Sequence, residues 1–218
     1  MKKYYINQLF VFILLVLCTF YVKVSAILPL SGKIIIIDPG HGGKDPGTVV
    51  NDTYESNINL NISKYLEYYL SINGATVILT RDGSYDLSSP KIKNRKRSDF
   101  DNRIEKINNL NANMYLSIHL NYLNDKKYYG PQVFYNNKNK NNKKIANTIQ
   151  NYLNSKLNTK RKIKQIPKNT YMYSKLKTNG VLIECGFLSN YTERKKLEIE
   201  EYQEKIAKYI TNAIIEYY

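Results

Sequence analysis

The stretch that most constrains this chain is IIIIDPGHGGKDPG, Ile34 to Gly47. A continuous apolar run ending in turn residues reads as a strand buried on both faces. Such a strand belongs inside a sheet that helices cover on both sides. Directly after it come Pro39, His41 and the glycines Gly40, Gly42 and Gly43. The glycines let the backbone turn sharply and approach a ligand closely, and Pro39 stiffens the exit from the strand. The chain has only 2 histidines among 218 residues. One of them in a glycine-rich loop calls for a chemical reason.

The rest of the chain supplies the partners of that strand. Ile58, Ile62, Tyr65, Leu66 and Tyr69 follow helical spacing, which Asn73-Gly74 stops. Ala75 to Thr80 reads as a second strand and Ser84 to Arg97 as a long polar loop. Phe100, Ile104 and Ile107 mark another helix. Met114 to Leu120 is a third strand, and Pro131 to Tyr135 a fourth. A solvated turn over Asn136 to Lys144 enters a helix marked by Ile145, Ile149, Tyr152 and Leu153. Within Lys160 to Tyr173 the pattern gives at most one strand, around Met172. Gly180 to Gly186 is a strong strand, and Ile199 to Ile214 the clearest helix. Strands alternating with helices predict one three-layer α/β domain, with a mostly parallel twisted sheet of about six strands and helices on both faces.

Residues 1–26, MKKYYINQLFVFILLVLCTFYVKVSA, stand outside this pattern. Two lysines, an apolar run from Leu9 to Val22 and the ending Val24-Ser25-Ala26 describe a signal peptide or an N-terminal membrane anchor. The working domain then occupies 27–218 and is exported to the cell envelope, secreted or held at the membrane by this segment. Leu17 is too bulky for a lipoprotein box ending at Cys18. With Cys185 alone in the body, no disulfide framework is available.

The formal net charge is +15, from 33 Lys+Arg against 18 Asp+Glu. Such a balance suits nucleic acid, an anionic membrane surface or an anionic polymer such as cell wall. The wealth of Asn, Ile and Tyr points to a biased composition behind much of it. No nucleic-acid motif is present, and an exported chain does not meet nucleic acid, so that class is excluded.

In open α/β sheets, ligands bind beyond the carboxyl ends of the strands. His41 lies three residues past the end of the first strand, and His119 lies near the end of the third. Glu184 is a carboxylate in an apolar strand, where it is costly without a partner. Two histidines and carboxylates on one edge indicate a zinc site, with three protein ligands and a position open for water. Glu55 is the best third ligand, where the loop enters the first helix of the domain. Asp38, Asp45 and Asp52 compete for that role. Cys185 alternates away from Glu184 and reads as a small core residue.

These residues resemble a known family. IIIIDPGHGGKDPG, then Glu55 before a helix, LSIHLN and GVLIECGFLSN are similar to the zinc-dependent N-acetylmuramoyl-L-alanine amidases of bacterial cell walls. The similarity spans nearly all of Lys33 to Tyr218. It implies that His41, Glu55 and His119 bind Zn2+ and that Glu184 is the catalytic carboxylate. The family often has Glu-Lys where this chain has Glu55-Ser56. TRDGSYDL (Thr80 to Leu87), KNRKRSDFDNR (Lys93 to Arg103) and the ending ECGFLSN are most similar to the germination-specific members. That implies spore-cortex peptidoglycan as substrate, with peptide removal preceding muramic-δ-lactam formation. Arg81, Arg95 and Arg103 are candidates for holding substrate carboxylates or the sheet edge. The domain carries no wall-binding module, which leaves localisation or activation to an accessory protein. The rival readings are a cell-wall carbohydrate deacetylase and a non-catalytic wall-binding protein. Released acetate, a liberated L-alanine amino terminus or neither tells the three apart.

Overall fold

A computed structural model of the protein describes residues 2–22 and 27–218. The chain runs α1 (Lys2–Val22), β1 (Ile34–Pro39), β2 (Val49–Val50), β3 (Thr53–Tyr54), α2 (Glu55–Ile72), β4 (Thr76–Leu79) and α3 (Arg95–Asn109). It continues β5 (Met114–Asn121), β6 (Gln132–Tyr135), α4 (Lys140–Leu157), β7 (Lys164–Gln165), α5 (Tyr171–Lys175), β8 (Gly180–Phe187), α6 (Tyr191–Leu197) and α7 (Glu200–Tyr217). Large apolar side chains between Tyr4 and Val16 of α1 are exposed. Among the described residues no helix is long and apolar enough to cross a membrane. The expected cleavage context, Val24 to Ala26, lies outside the described residues.

Six strands form one sheet in the order β4-β1-β5-β8-β6-β7. All neighbours are parallel except β6, which runs against β8. β1 sits inside the sheet, as its four isoleucines require. Strand side chains alternate between faces, and the alternation sorts the core. Ile35 and Ile37 join Met114, Leu116, Val181 and Ile183 in the cluster covered by α2, α4 and α7. Ile36 and Tyr115 join Ile104, Ile107 and Met172 on the α3 and α5 face. The expected three-layer α/β fold is therefore present, with six strands.

Four local features differ from the sequence reading. The segment around Met172 is the short helix α5, and the strand of that region is β7, a few residues earlier. Tyr171 to Lys175 turn helical because Met172 and Tyr173 both bury against the α3 face, where a strand would point one of them away. The polar loop ends sooner than expected, because Asn94 accepts the Arg97 amide and caps α3. The two-residue strands β2 and β3, and the short helix α6, are too brief to leave a periodic signal.

Candidate active site

The site lies where the carboxyl ends of β1, β5 and β8 meet the first turn of α2. β5 and β8 are parallel, with His119 directly opposite Glu184. Counting along β5, His119 follows Tyr115 and Ser117 onto the α3 and α5 face. On β8, Glu184 follows Leu182 onto the same face, while Cys185 turns into the opposite core and is fully buried. His41 arrives from the loop after β1.

Glu55 is the hub. It is the first residue of α2 and only 3% exposed. Its Oε1 lies 3.2 Å from His41 Nε2 and 3.0 Å from His119 Nδ1. The backbone amides of Leu120 and Thr48 donate to its two oxygens, at 3.1 Å and 2.8 Å. Asn59, one turn on, adds a third donor at 3.3 Å. Burial pushes the Glu55 carboxyl up, but the two imidazoles hold it far below the usual carboxylate range. The ligand atoms of His41, Glu55 and His119 all lie within 4.8 Å of one another.

Of the competing carboxylates, Asp45 has a different place. Its Oδ2 sits 3.2 Å from Nδ1 of His41, on the other side of the ring from Glu55. A proton on Nδ1 shared with Asp45 makes Nε2 the ring nitrogen left for a metal ion. Burial pulls the His41 imidazole down, and Asp45 and Glu55 raise it to about 9. Asp38 is buried beneath the loop, and Asp52 is exposed in the β2–β3 turn. Neither joins the cluster.

Glycine is required where this loop passes the imidazoles. A Cβ on Gly40 would lie 2.2 Å from His119 Cε1. On Gly47, with φ +69°, it would lie 2.7 Å from His41 Cδ2 and 2.8 Å from Glu55 Oε2. His41 itself takes a left-handed φ of 62°, uncommon outside glycine.

Two buried arginines hold the loop there. Arg81 is 1% exposed and Arg103 is 2% exposed. Arg81 donates to the carbonyls of Pro39, Gly40, Ser56 and Gly83. Arg103 donates to Asp38, Asp99 and the carbonyls of Pro39 and His41. Thus Arg81 and Arg103 fix the sheet edge and the loop that leaves it. Arg95 pairs with Asp86 in the loop before α3. The sequence holds one clue to this role: Arg81 directly follows an apolar strand on the catalytic edge. Nothing in the spacing shows Arg103 crossing from α3 to the loop.

The Glu184 carboxylate has no hydrogen bond to its buried Oε2. Burial, chiefly, and the nearby charge of Glu55 push it up to about 8, against an opposing pull from His41. A cleft opens beside the histidines, walled by Phe100 of α3 and by Tyr171 and Met172 of α5.

A family model of N-acetylmuramoyl-L-alanine amidases matches residues 35–216. The chain belongs to the N-acetylmuramoyl-L-alanine amidase family. Members hydrolyse the amide between N-acetylmuramic acid and L-alanine in peptidoglycan. The germination-specific N-acetylmuramoyl-L-alanine amidase of Bacillus subtilis is 42% identical over 195 residues, covering 88% of this chain and 82% of that one. Among solved structures, the CwlD amidase from Clostridioides difficile, in complex with the GerS lipoprotein, aligns with a TM-score of 0.81 at 40% identity. That match covers 85% of this chain and 98% of the other. The catalytic domain of CwlV from Bacillus (Paenibacillus) polymyxa aligns at 0.73 and 29% identity, over 85% of this chain and 97% of that one.

The amidase's donor set fits a metal ion. Two imidazole nitrogens and a buried carboxylate oxygen point at one another, an arrangement suited to a shared cation. Asp45 orients one imidazole from behind, as outer partners of metal-bound histidines do. The glycines that the loop requires at Gly40 and Gly47 keep that cradle open.

Proposed function

We propose that this amidase is a zinc enzyme acting on spore-cortex peptidoglycan, with His41, Glu55 and His119 as ligands and Glu184 as the catalytic carboxylate. The observation that carries this reading is the convergence of the three donor atoms beside the unpartnered oxygen of Glu184. A donor set of two nitrogens and one oxygen favours Zn2+ over Ca2+ or Mg2+, which prefer all-oxygen sites. Zinc held there supplies Lewis-acid polarisation of the scissile carbonyl and an acidified water.

The residues of the chain do the rest. Glu184 takes a proton from the attacking water and returns it to the leaving amine of L-alanine. A carboxyl poised near neutrality suits both halves of that transfer. Asp45 keeps His41 in one tautomer, and Arg81 and Arg103 hold its backbone in place.

The spore-cortex substrate rests on the likeness to the germination-specific relative. Residues 1–26 act as an export leader, and the enzyme works outside the cytoplasm, at the cell envelope or between the forespore membranes. The CwlD neighbour was solved with a lipoprotein partner. An accessory protein at the membrane would serve this amidase in the same way.

Glu184→Gln tests the reading. The variant should fold, keep its zinc and release no peptide from purified sacculi. Near-normal turnover would sink the assignment of Glu184. Metal analysis of His119→Ala should show zinc loss, and unchanged stoichiometry would refute the ligand set. Free acetate among the products, in place of an L-alanine amino terminus, would replace the amidase reaction with deacetylation.

A further inference from the structure

The catalytic edge continues past Glu184. Across the sheet, Gln132 of β6 lies directly opposite Glu184. β7 follows β6, with Lys164 opposite Phe134. The loop entering β7 therefore stands on the same edge as the metal cluster, two strands beyond Glu184. Strands lie about 4.8 Å apart, which puts that loop on the order of 10 Å from Glu184.

A pocket opens there, lined in part by Leu123, Gln132, Lys160, Arg161, Lys162 and Lys164. Among the described residues none of these four cations makes an ion pair. The acid in the lining, Asp125, is paired with Lys127 at 2.7 Å. The cationic loop is thus uncompensated on its own pocket.

Its geometry is fixed. Arg161 donates from its backbone amide to Asn154 Oδ1 at 3.2 Å and accepts from Asn154 Nδ2 at 2.8 Å. Gln132 Nε2 donates to the Lys162 carbonyl at 2.8 Å. The Arg161 guanidinium lies over two rings, 5.4 Å from the centroid of Tyr128 and 4.9 Å from that of Phe187. It gives one hydrogen bond, from Nη2 to Gln132 Oε1 at 2.7 Å. Its buried Nε has no partner. Glu193, whose charge Arg161 helps to hold, spends its two oxygens on the amides of Gly130 and Phe187. A stacked, half-committed guanidinium is pre-organised for a planar carboxylate.

We propose that this loop is a subsite for the free carboxylates of the stem peptide, downstream of the scissile amide. The proposal rests on the peptidoglycan reading above. An extended peptide covers about 3.4 Å per residue, so the second to fourth residues of a stem leaving Glu184 reach the loop. In peptidoglycan those positions carry carboxylates. Arg161 takes one of them, and Lys162 and Lys164 attract the rest. Gln132 links the subsite to the reacting centre, since it neighbours Glu184 and accepts from Arg161.

Binding separates this subsite from catalysis. The full chain carrying Glu184→Gln, loaded with zinc, is titrated calorimetrically with a synthetic muramoyl tripeptide bearing free carboxylates. The same peptide with those carboxylates amidated is the second probe. Amidation should weaken binding by about tenfold or more, the effect of losing one charge-assisted hydrogen bond. Lys162→Glu with Lys164→Glu should do the same to the free-carboxylate peptide and leave the amidated one unchanged. Both lysines are exposed, so this variant folds even where Arg161→Gln, which removes a stacked side chain, does not. Equal affinities for the two peptides, an unaffected lysine variant, or no binding of the free-carboxylate peptide overturns the subsite. Discrimination between the peptides without any peptide release by the unmutated enzyme removes the amidase reading and leaves the subsite standing.

Discussion

The guanidinium of Arg103, on α3, donates to the backbone carbonyl of His41 at 2.6 Å. The same group binds Asp38 at 2.7 Å and the Pro39 carbonyl at 2.8 Å, and both of these bonds are buried. One side chain therefore ties the end of β1 to the loop that carries the histidine, and it does so where His41 adopts its left-handed backbone. Strained residues persist when their surroundings over-determine them.

Replacing Arg103 with lysine should expose this dependence. Lysine keeps a charge but cannot serve four acceptors. Stability should fall by about 3 kcal/mol, since a buried acceptor left without a donor costs about 1–3 kcal/mol. Zinc affinity should fall roughly 10-fold to 100-fold, as when a supporting residue behind a metal ligand is lost. Urea unfolding and competitive zinc titration measure the two effects. An unchanged zinc affinity would mean that Arg103 supports the fold but does not place His41.

Gly40→Ala should act through His119. The added methyl would overlap the imidazole, so the ring must leave its position against Glu55. The expected result is a folded protein whose zinc content falls and whose peptide release drops by at least about 100-fold, in line with metal-site misplacement. Wild-type activity in this variant would show that the ring can swing aside without cost.

Acidification should weaken the fold partly through Asp38. Burial raises its carboxyl, but Arg103 and the Thr80 hydroxyl more than offset this, and its pKa lies below the ordinary value of 3.8. A carboxyl lowered on folding stabilises the protein above its unfolded pKa, and that contribution is lost as pH falls through the folded one. Stability should therefore decline from about pH 4 downward, given an unfolded Asp near 3.9. Asp38→Asn should be less stable at pH 7 and should lose less on acidification. Denaturant unfolding from pH 7 to pH 3 checks this; parallel curves for the two proteins would refute it.

Chelation should lower the melting temperature. A cation that binds the folded cluster and not the unfolded chain adds about 3 kcal/mol at a hundredfold excess over its Kd. Differential scanning fluorimetry with and without chelator should show a fall that added Zn2+ reverses. The His119→Ala protein should show little of this response. An equal response would place the stabilising metal elsewhere.

Much of the fold was legible because it rests on local pattern. The four isoleucines of β1, the alternation in β5 and β8 and the helical stripe of α7 each specify an element without reference to the others. The segment before β8 was not legible. α5 forms there because Met172 and Tyr173 bury against α3, a contact that no neighbouring residue announces. At the site, the sequence singled out His41, Glu55, His119 and Glu184 by scarcity and by position at strand ends. It left Asp38, Asp45 and Asp52 as rivals to Glu55, because all three lie near the loop in sequence. Only the fold separates them. It places Asp45 behind His41, Asp38 under Arg103 and Asp52 out in solvent.

The amino-acid sequence by itself determined the α/β layers, the catalytic edge and the residue types gathered on it. Those follow from side-chain periodicity and from where strands end. The tertiary structure decided what each polar group faces. In sequence Arg81 and Arg103 were candidates for holding either substrate carboxylates or the sheet edge, and both are buried as clamps on the loop at that edge. Arg161 carried no signal at all, and it emerges on the catalytic edge beside a basic pocket. The physical reason is that a charged side chain's role is set by desolvation and by partners distant along the chain, as in Arg103 with Asp38 at a separation of 65 and Arg161 with Gln132 at 29. No local pattern encodes such partners, because the chain brings them together only by folding.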